Sequence, residues 1–131
     1  MGVHDLISAV RGRREPDGLL RLRARDLGLS RLPQVATLLQ FSSVGSRTSR
    51  DSLNRLSAAA AHSGGTVLVV EQSVRRSSSV QAKLGVRFTP SVYVVAGDGL
   101  VTHHWARPPE RDELARALAE LEARRPELAG V

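Results

Sequence analysis

The side chains that could carry chemistry in this chain are mainly serines and four histidines, because the sequence contains no cysteine. Without cysteine there are no disulfides, thiolate nucleophiles, iron–sulfur ligands or cysteine-based zinc sites. Two serines draw attention, in the segment Ser46-Arg47-Thr48-Ser49. Their spacing places both on the first turn of any helix that begins there.

Ser46 could act as a nucleophile only with a positioned base and a partner that orients the base. His62 stands at the other end of the helix predicted after Ser46, ~24 Å away along its axis. The sequence does not set the distance from Ser46 to the other histidines. We therefore expect Ser46 to cap the helix that begins near Arg47, which is a common role for serine.

His103 and His104 are the other pair that could suggest a site, in this case for a metal. Adjacent residues of a strand point to opposite faces, so the two imidazoles cannot easily bind one ion. We predict exposed or interface histidines here, with no metal and no cofactor. The single tryptophan, Trp105, is expected to cover an edge of the core.

The formal net charge of +6 comes almost entirely from arginine. Such a surplus allows a weaker hypothesis, a basic protein that binds nucleic acid or a membrane surface. No aromatic residues alternate with the basic ones to stack on bases, so no nucleic-acid partner is expected. No stretch has the ~18–20 apolar residues of a membrane span, and we predict a cytoplasmic protein, an anchor upstream of residue 1 being left open.

The apolar pattern places Ser46 between a strand and a helix. Residues 36–41 are a short apolar run typical of a strand buried on both faces, and small residues follow. From Arg47 the apolar positions take a helical period, which ends at glycines 64 and 65. Residues 66–71 predict a second buried strand, which completes a βαβ unit.

The second half of the chain predicts a short helix, a loop, a hairpin and a final helix, at residues 77–84, 86–90, 91–106 and 110–125. The hairpin prediction depends on Gly97-Asp98-Gly99, because Asp-Gly between two strand-like runs is a strong turn signal. Pro126 follows the last helix.

The length of 131 residues suits one domain with an ordinary core. Arginines and poor periodicity mark residues 1–18 as a basic, flexible N-terminal tail. The domain is predicted over residues 19–125, with a C-terminal tail at 126–131. Within it, residues 19–24 are expected to form an edge strand, and residues 26–32 one helical turn or a loop.

This order of elements resembles the thioredoxin fold, an α/β architecture in which helices flank a central mixed sheet (a βαβα-ββα core). Residues 36–50 resemble a thioredoxin strand that leads into the Cys-x-x-Cys loop and helix, and residues 86–92 resemble the segment with the family's cis-proline. Phe41-Ser42-Ser43 and the run at 84–90 resemble small actinobacterial members. The resemblance covers about residues 36–122 and implies a thiol–disulfide oxidoreductase by descent.

The chain departs from the family pattern at its catalytic positions. Ser46 stands at the position of the attacking cysteine and Ser49 at that of the resolving cysteine. A serine hydroxyl stays protonated at neutral pH and cannot be oxidised to a bridge, so these two positions are inactive as serine. Gln40 replaces the buried acid, Gly45 the tryptophan before the first cysteine, and Arg107 a glycine that borders the peptide groove.

The resemblance also implies a peptide-binding edge beside the serine loop. In the family the bond that corresponds to Thr89-Pro90 is cis, and the preceding residue pairs through its backbone with an extended peptide. The predicted peptide-binding residues are Gly45, Phe88, Thr89 and Pro90.

Two main interpretations remain open. The chain is either an oxidoreductase in which serines replace two native cysteines, or a natural redox-inactive module that binds client peptides or a partner protein. The expected partners are a client protein or peptide and, for a cysteine-containing form, a reductase of the thioredoxin system.

Overall fold

The computed structural model of the chain describes residues 20–74 and 79–129, with side chains as far as Arg124. The predicted N-terminal tail at 1–18 and the first two residues of the helix predicted at 77–84 lie outside this part. The domain boundaries therefore stay predictions.

Among the described residues, four strands form one mixed sheet in the order β2-β1-β3-β4. β1 pairs in parallel with β2 and antiparallel with β3, and β4 pairs antiparallel with β3. The strands are β1 (Ala36–Ser42), β2 (Val67–Ser73), β3 (Ser91–Ala96) and β4 (Val101–Trp105). The helices are a 3₁₀ helix (Ala24–Leu27), α1 (Arg47–Ala61), α2 (Ser79–Leu84) and α3 (Arg111–Ala129).

Alternate residues of the central strands build a core on each face of the sheet. On one face Phe41 and Tyr93 pack edge to face, with ring centres 5.9 Å apart, against α2 and the segment that precedes β1. On the other face, Leu38 and Val94 pack against Leu56 of α1 and apolar residues of α3. The predicted α/β class, with a central mixed sheet flanked by helices, is confirmed.

The two strands predicted as buried differ in the structure. All seven residues of β1 are buried, as expected for a central strand. β2 is only partly buried, and Leu68 is 41% exposed. The prediction of a fully buried second strand was wrong, because β2 has a strand neighbour on one side only within the described residues. An apolar run cannot distinguish a central strand from an edge strand.

The edge strand predicted at 19–24 is reduced to a single bridge between Arg21 and Leu100. Backbone bonds from Leu22 to Gly99 and from Val101 to Leu20 fasten this segment to the hairpin. The side chain of Leu20 is fully buried, so the segment contributes to the core without becoming a strand.

The final helix is longer than its sequence pattern predicts. α3 continues to Ala129, past the predicted end at residue 125. α3 therefore passes through Pro126, which has no backbone N–H to donate within the helix. None of the helices in the described ranges is long and apolar enough to cross a membrane.

Candidate functional site

The predicted site residues meet where β1 ends. The loop after β1, residues 43–46, lies beside the loop before β3 because these strands are neighbours in the sheet. The two loops are joined by a hydrogen bond between Ser43 Oγ and Thr89 Oγ1. Sequence analysis did not single out Ser43, since nothing in a serine-rich loop indicates which hydroxyl will form a long-range contact.

Ser46 is the N-cap of α1, as predicted. Its backbone is extended, and its Oγ accepts a hydrogen bond from the backbone N–H of Ser49 at 3.1 Å. Capping satisfies one of the N–H groups that the first turn of a helix leaves without a partner. No histidine is among the described residues that line the groove beside Ser46.

Ser49, on the first turn of α1, is 2% exposed. Its Oγ accepts a bond from the backbone N–H of Ser43 at 3.3 Å. Its backbone C=O accepts a second bond, from Gln40 Nε2 at 2.7 Å. Both serines are thus part of the hydrogen bonding that holds the loop against the helix.

Gln40 is fully buried beneath this loop. Its Nε2 donates to Ser42 Oγ at 2.9 Å as well as to the Ser49 carbonyl. Because the Ser49 carbonyl oxygen can only accept a hydrogen bond, the NH₂ group of the Gln40 amide must point towards Ser49. Gln40 Oε1 is left buried without a hydrogen-bond partner. An amide at this position therefore supplies a donor that an ionised carboxylate could not.

An open groove with a volume of about 490 Å³ runs beside the serine loop. Ser46 and Ser49 line it, together with Arg50 of α1. Its far wall is formed by Glu71 and Ser73 of β2, on the opposite side of β1 from β3. The groove is open to solvent and is lined by both polar and apolar side chains.

Two large apolar side chains stand exposed on the bridged loops. Val44 is 68% exposed and Phe88 is 65% exposed. Val44 precedes Gly45, whose φ of 78° lies in the left-handed region. The Thr89-Pro90 peptide bond is cis, and Pro90 is buried. Sequence analysis missed Val44, although an isolated apolar residue in a loop of serine and glycine could have indicated it.

Arg107 was predicted to border the peptide-binding edge at Thr89-Pro90, whereas the groove beside the serine loop lies on the β2 side and is lined by neither Arg107 nor Phe88. Arg107 follows β4 and forms a two-pronged ion pair with Glu113, at 2.7 and 2.8 Å. These bonds raise the pKa of Arg107 and, together with a bond from the Glu110 N–H, lower the pKa of Glu113 to about 2. The Arg107 side chain is thus held at the start of α3.

His103 and His104 point to opposite faces of β4. His103 stacks on Trp105 with ring centres 5.9 Å apart, and His104 stacks on Tyr93 at 4.4 Å. Burial lowers the pKa of His104 and raises that of Tyr93. The two imidazoles do not share a site. Trp105 is half-buried against the core on the α1 side, as expected for a residue that covers its edge.

Comparisons with known proteins show a shared fold without close relatives. No family model matches the chain, and no curated protein matches it. A thioredoxin-like protein from Clostridium perfringens is similar in structure, with a TM-score of 0.61 at 10% identity over 71% of this chain and 75% of that one. A DsbF homologue from Corynebacterium diphtheriae has a TM-score of 0.58 at 15% identity, over 68% of this chain and 73% of that one.

Chloroplastic thioredoxin z is also similar, with a TM-score of 0.55 at 16% identity over 69% of this chain and 80% of that chain. At these identities the likeness concerns the fold. The match agrees with the mixed sheet and the helices on both of its faces. The chain has a thioredoxin-like fold.

Proposed function

We propose that this chain is a thioredoxin-like module that binds an extended peptide, from a client or a partner protein, without thiol–disulfide chemistry. One observation carries the proposal. Val44 and Phe88 are exposed on two loops bridged by Ser43 and Thr89, beside Ser46 and Ser49, whose hydroxyls accept hydrogen bonds from the backbone.

The exposed pair favours binding because covering apolar area releases about 25 cal/mol per Å². A ligand that covers the Phe88 ring gains on the order of 1.5–3 kcal/mol from that contact. The backbone N–H and C=O of Thr89 have no hydrogen-bond partner among the described residues. An extended peptide could satisfy both groups and place an apolar side chain against Phe88.

We expect a library of extended peptides to contain ligands that shift the amide resonances of Gly45 and Thr89 in ¹⁵N-labelled protein. Phe88→Ser should weaken the best ligand by about tenfold or more, the equivalent of losing ~1.4 kcal/mol of buried apolar contact. Leu68→Ser is the matched control, because Leu68 is also exposed but lies on β2. Peptide binding that shifts neither amide, or the absence of any ligand in the library, would contradict the proposal.

A second candidate function is thiol–disulfide exchange by a form with cysteines at 46 and 49. The observation that favours it is the placement of both serines on the first turn of α1, where a helix N-terminus lowers the pKa of a thiol. In such a form the first thiolate attacks a substrate disulfide, and the second thiol resolves the mixed disulfide.

The double variant Ser46→Cys/Ser49→Cys should therefore reduce insulin in the presence of dithiothreitol, faster than dithiothreitol alone. Each single cysteine variant should stay at the background rate, because the mixed disulfide would not be resolved within the protein. A folded double variant that forms its disulfide reversibly yet does not accelerate insulin reduction would rule out this second function.

A further inference from the structure

We propose that the peptide bound at the surface formed by Val44 and Phe88 is acidic and carries one bulky apolar residue. The inference rests on the proposed peptide-binding function and adds the chemical class of the ligand. It depends on three exposed arginines around the apolar pair, Arg47 and Arg50 on the first turn of α1 and Arg87 next to Phe88.

These three guanidinium groups are available to a ligand. Arg50 lines the groove, and Arg47 follows the N-cap Ser46 directly. Within the described ranges none of the three takes part in an ion pair or a side-chain hydrogen bond. By contrast, Arg21 and Arg107 are paired with Asp98 and Glu113. Three exposed arginines without an ion pair among the described residues thus lie within six residues of Val44 or Phe88 along the chain, while Glu71 lines the same groove as Arg50.

The negative side of the groove lies away from Phe88. Among the described residues that line the groove, Glu71 is the acidic one, and it belongs to β2. Phe88 belongs to the loop before β3, on the other side of β1. An acidic peptide that follows Thr89 would therefore run between Arg87 and the start of α1, with Glu71 at the far wall.

The apolar and charged parts of the surface set separate requirements on the ligand. Val44 and Phe88 favour one bulky apolar side chain, which gives affinity through buried area. The arginines favour carboxylates on either side of it, because guanidinium groups bind carboxylates with two parallel hydrogen bonds. Exposed ion pairs contribute only ~0.2–1 kcal/mol each, so each arginine should contribute about 1.4- to 5-fold in affinity.

The experiment uses the full chain and three peptides of roughly ten residues, about 33 Å when extended. Each carries one central leucine, and the flanking residues are glutamates, glutamines or lysines. We expect the glutamate peptide to bind most tightly and the lysine peptide most weakly. Raising NaCl from about 50 mM to about 500 mM should strongly reduce the difference in affinity between the glutamate and lysine peptides, since salt screens exposed charges.

The variant Arg47→Gln/Arg50→Gln/Arg87→Gln should weaken the glutamate peptide by about 3- to 150-fold, the product of three such contributions, and leave the glutamine peptide nearly unchanged. The control variant has the same change in net charge at exposed arginines outside the two bridged loops and α1, Arg31→Gln/Arg111→Gln/Arg116→Gln. It should change the affinity for the glutamate peptide by less than about twofold. Glu71→Gln should strengthen binding of the same peptide modestly.

The outcomes separate the two proposals. Equal binding of the glutamate and glutamine peptides, with shifts at Gly45 and Thr89, would overturn the acidic preference and leave the peptide-binding function standing. If no peptide binds, the proposed function fails with it. A single-stranded oligonucleotide that binds more tightly than the glutamate peptide, through the same arginines and independently of Phe88, would overturn the inference in favour of a nucleic-acid ligand.

Discussion

Gln40→Glu should leave the protein near wild-type stability at about pH 4 and destabilise it increasingly as the pH rises. The fully buried side chain faces the Ser49 carbonyl at 2.7 Å and Ser42 Oγ at 2.9 Å. A protonated carboxyl group can donate its one hydrogen to the Ser49 carbonyl and accept from the Ser42 hydroxyl. An ionised carboxylate would place negative charge against the carbonyl oxygen, so burial and this contact raise its pKa.

The sign follows from linkage. Above the unfolded-state pKa of ~4.3 the unfolded chain loses this proton, whereas the folded state retains it up to its raised pKa. The free energy of unfolding then falls by about 1.4 kcal/mol per pH unit in that interval. Between about pH 4 and pH 7 the accumulated loss can reach several kcal/mol, a large part of the ~5–15 kcal/mol that stabilises a domain of this kind.

Urea unfolding of wild type, Gln40→Glu and Gln40→Leu across this pH range tests the expectation. Gln40→Leu removes the two donated hydrogen bonds without adding a titratable group, so its difference from wild type should not depend on pH. A Gln40→Glu difference that is flat between pH 4 and pH 7 would show that the Ser49 carbonyl does not control this position. It would also mean that the glutamine is not needed as a donor beneath the serine loop.

Gly99→Ala should destabilise the fold by about 3 kcal/mol, the sum of left-handed backbone strain and weakened hydrogen bonds. Gly99 has a φ of 92° in the hairpin turn, and an added Cβ would overlap the carbonyl oxygen of Leu22. The same backbone accepts a bond from the Leu22 N–H at 2.8 Å. Relief of the overlap would pull the segment at 20–22 away from the hairpin and expose part of the core.

Gly64→Ala is the matched control. Gly64 also has a positive φ, of 66°, but no atom lies within 4 Å of its added Cβ. Gly64→Ala should lower the free energy of unfolding only by the backbone strain of about 1–2 kcal/mol. Thermal unfolding should show a larger decrease in Tm for Gly99→Ala than for Gly64→Ala. Equal decreases in Tm would mean that the close approach of Leu22 to Gly99 is unimportant for stability.

Periodicity and turn chemistry were enough to predict most of the fold. The strand at β1, the helix after Ser46 and the Asp-Gly hairpin are specified by neighbouring residues, and each was confirmed. The predictions failed where a distant part of the chain decides. The apolar run of β2 has the composition of a central strand, yet its place at one side of the sheet leaves Leu68 exposed.

The candidate site was predictable in part for the same reason. The cap at Ser46 is a local property, because its oxygen bonds to an N–H three residues along the chain. The bridge from Ser43 to Thr89 joins residues that are 46 positions apart. No local pattern indicates such a contact, which arises because β1 and β3 are neighbours in the sheet.

By itself the sequence determined what chemistry is absent and which elements form. With serines at 46 and 49 and no cysteine, the chain as written cannot carry out thiol–disulfide exchange, whatever its fold. Only the tertiary structure decided that Gln40 donates to the Ser49 carbonyl, and that Val44 and Phe88 stand exposed on joined loops. The physical reason is that composition and periodicity act over a few residues, whereas burial and hydrogen-bond partners depend on which strands become neighbours.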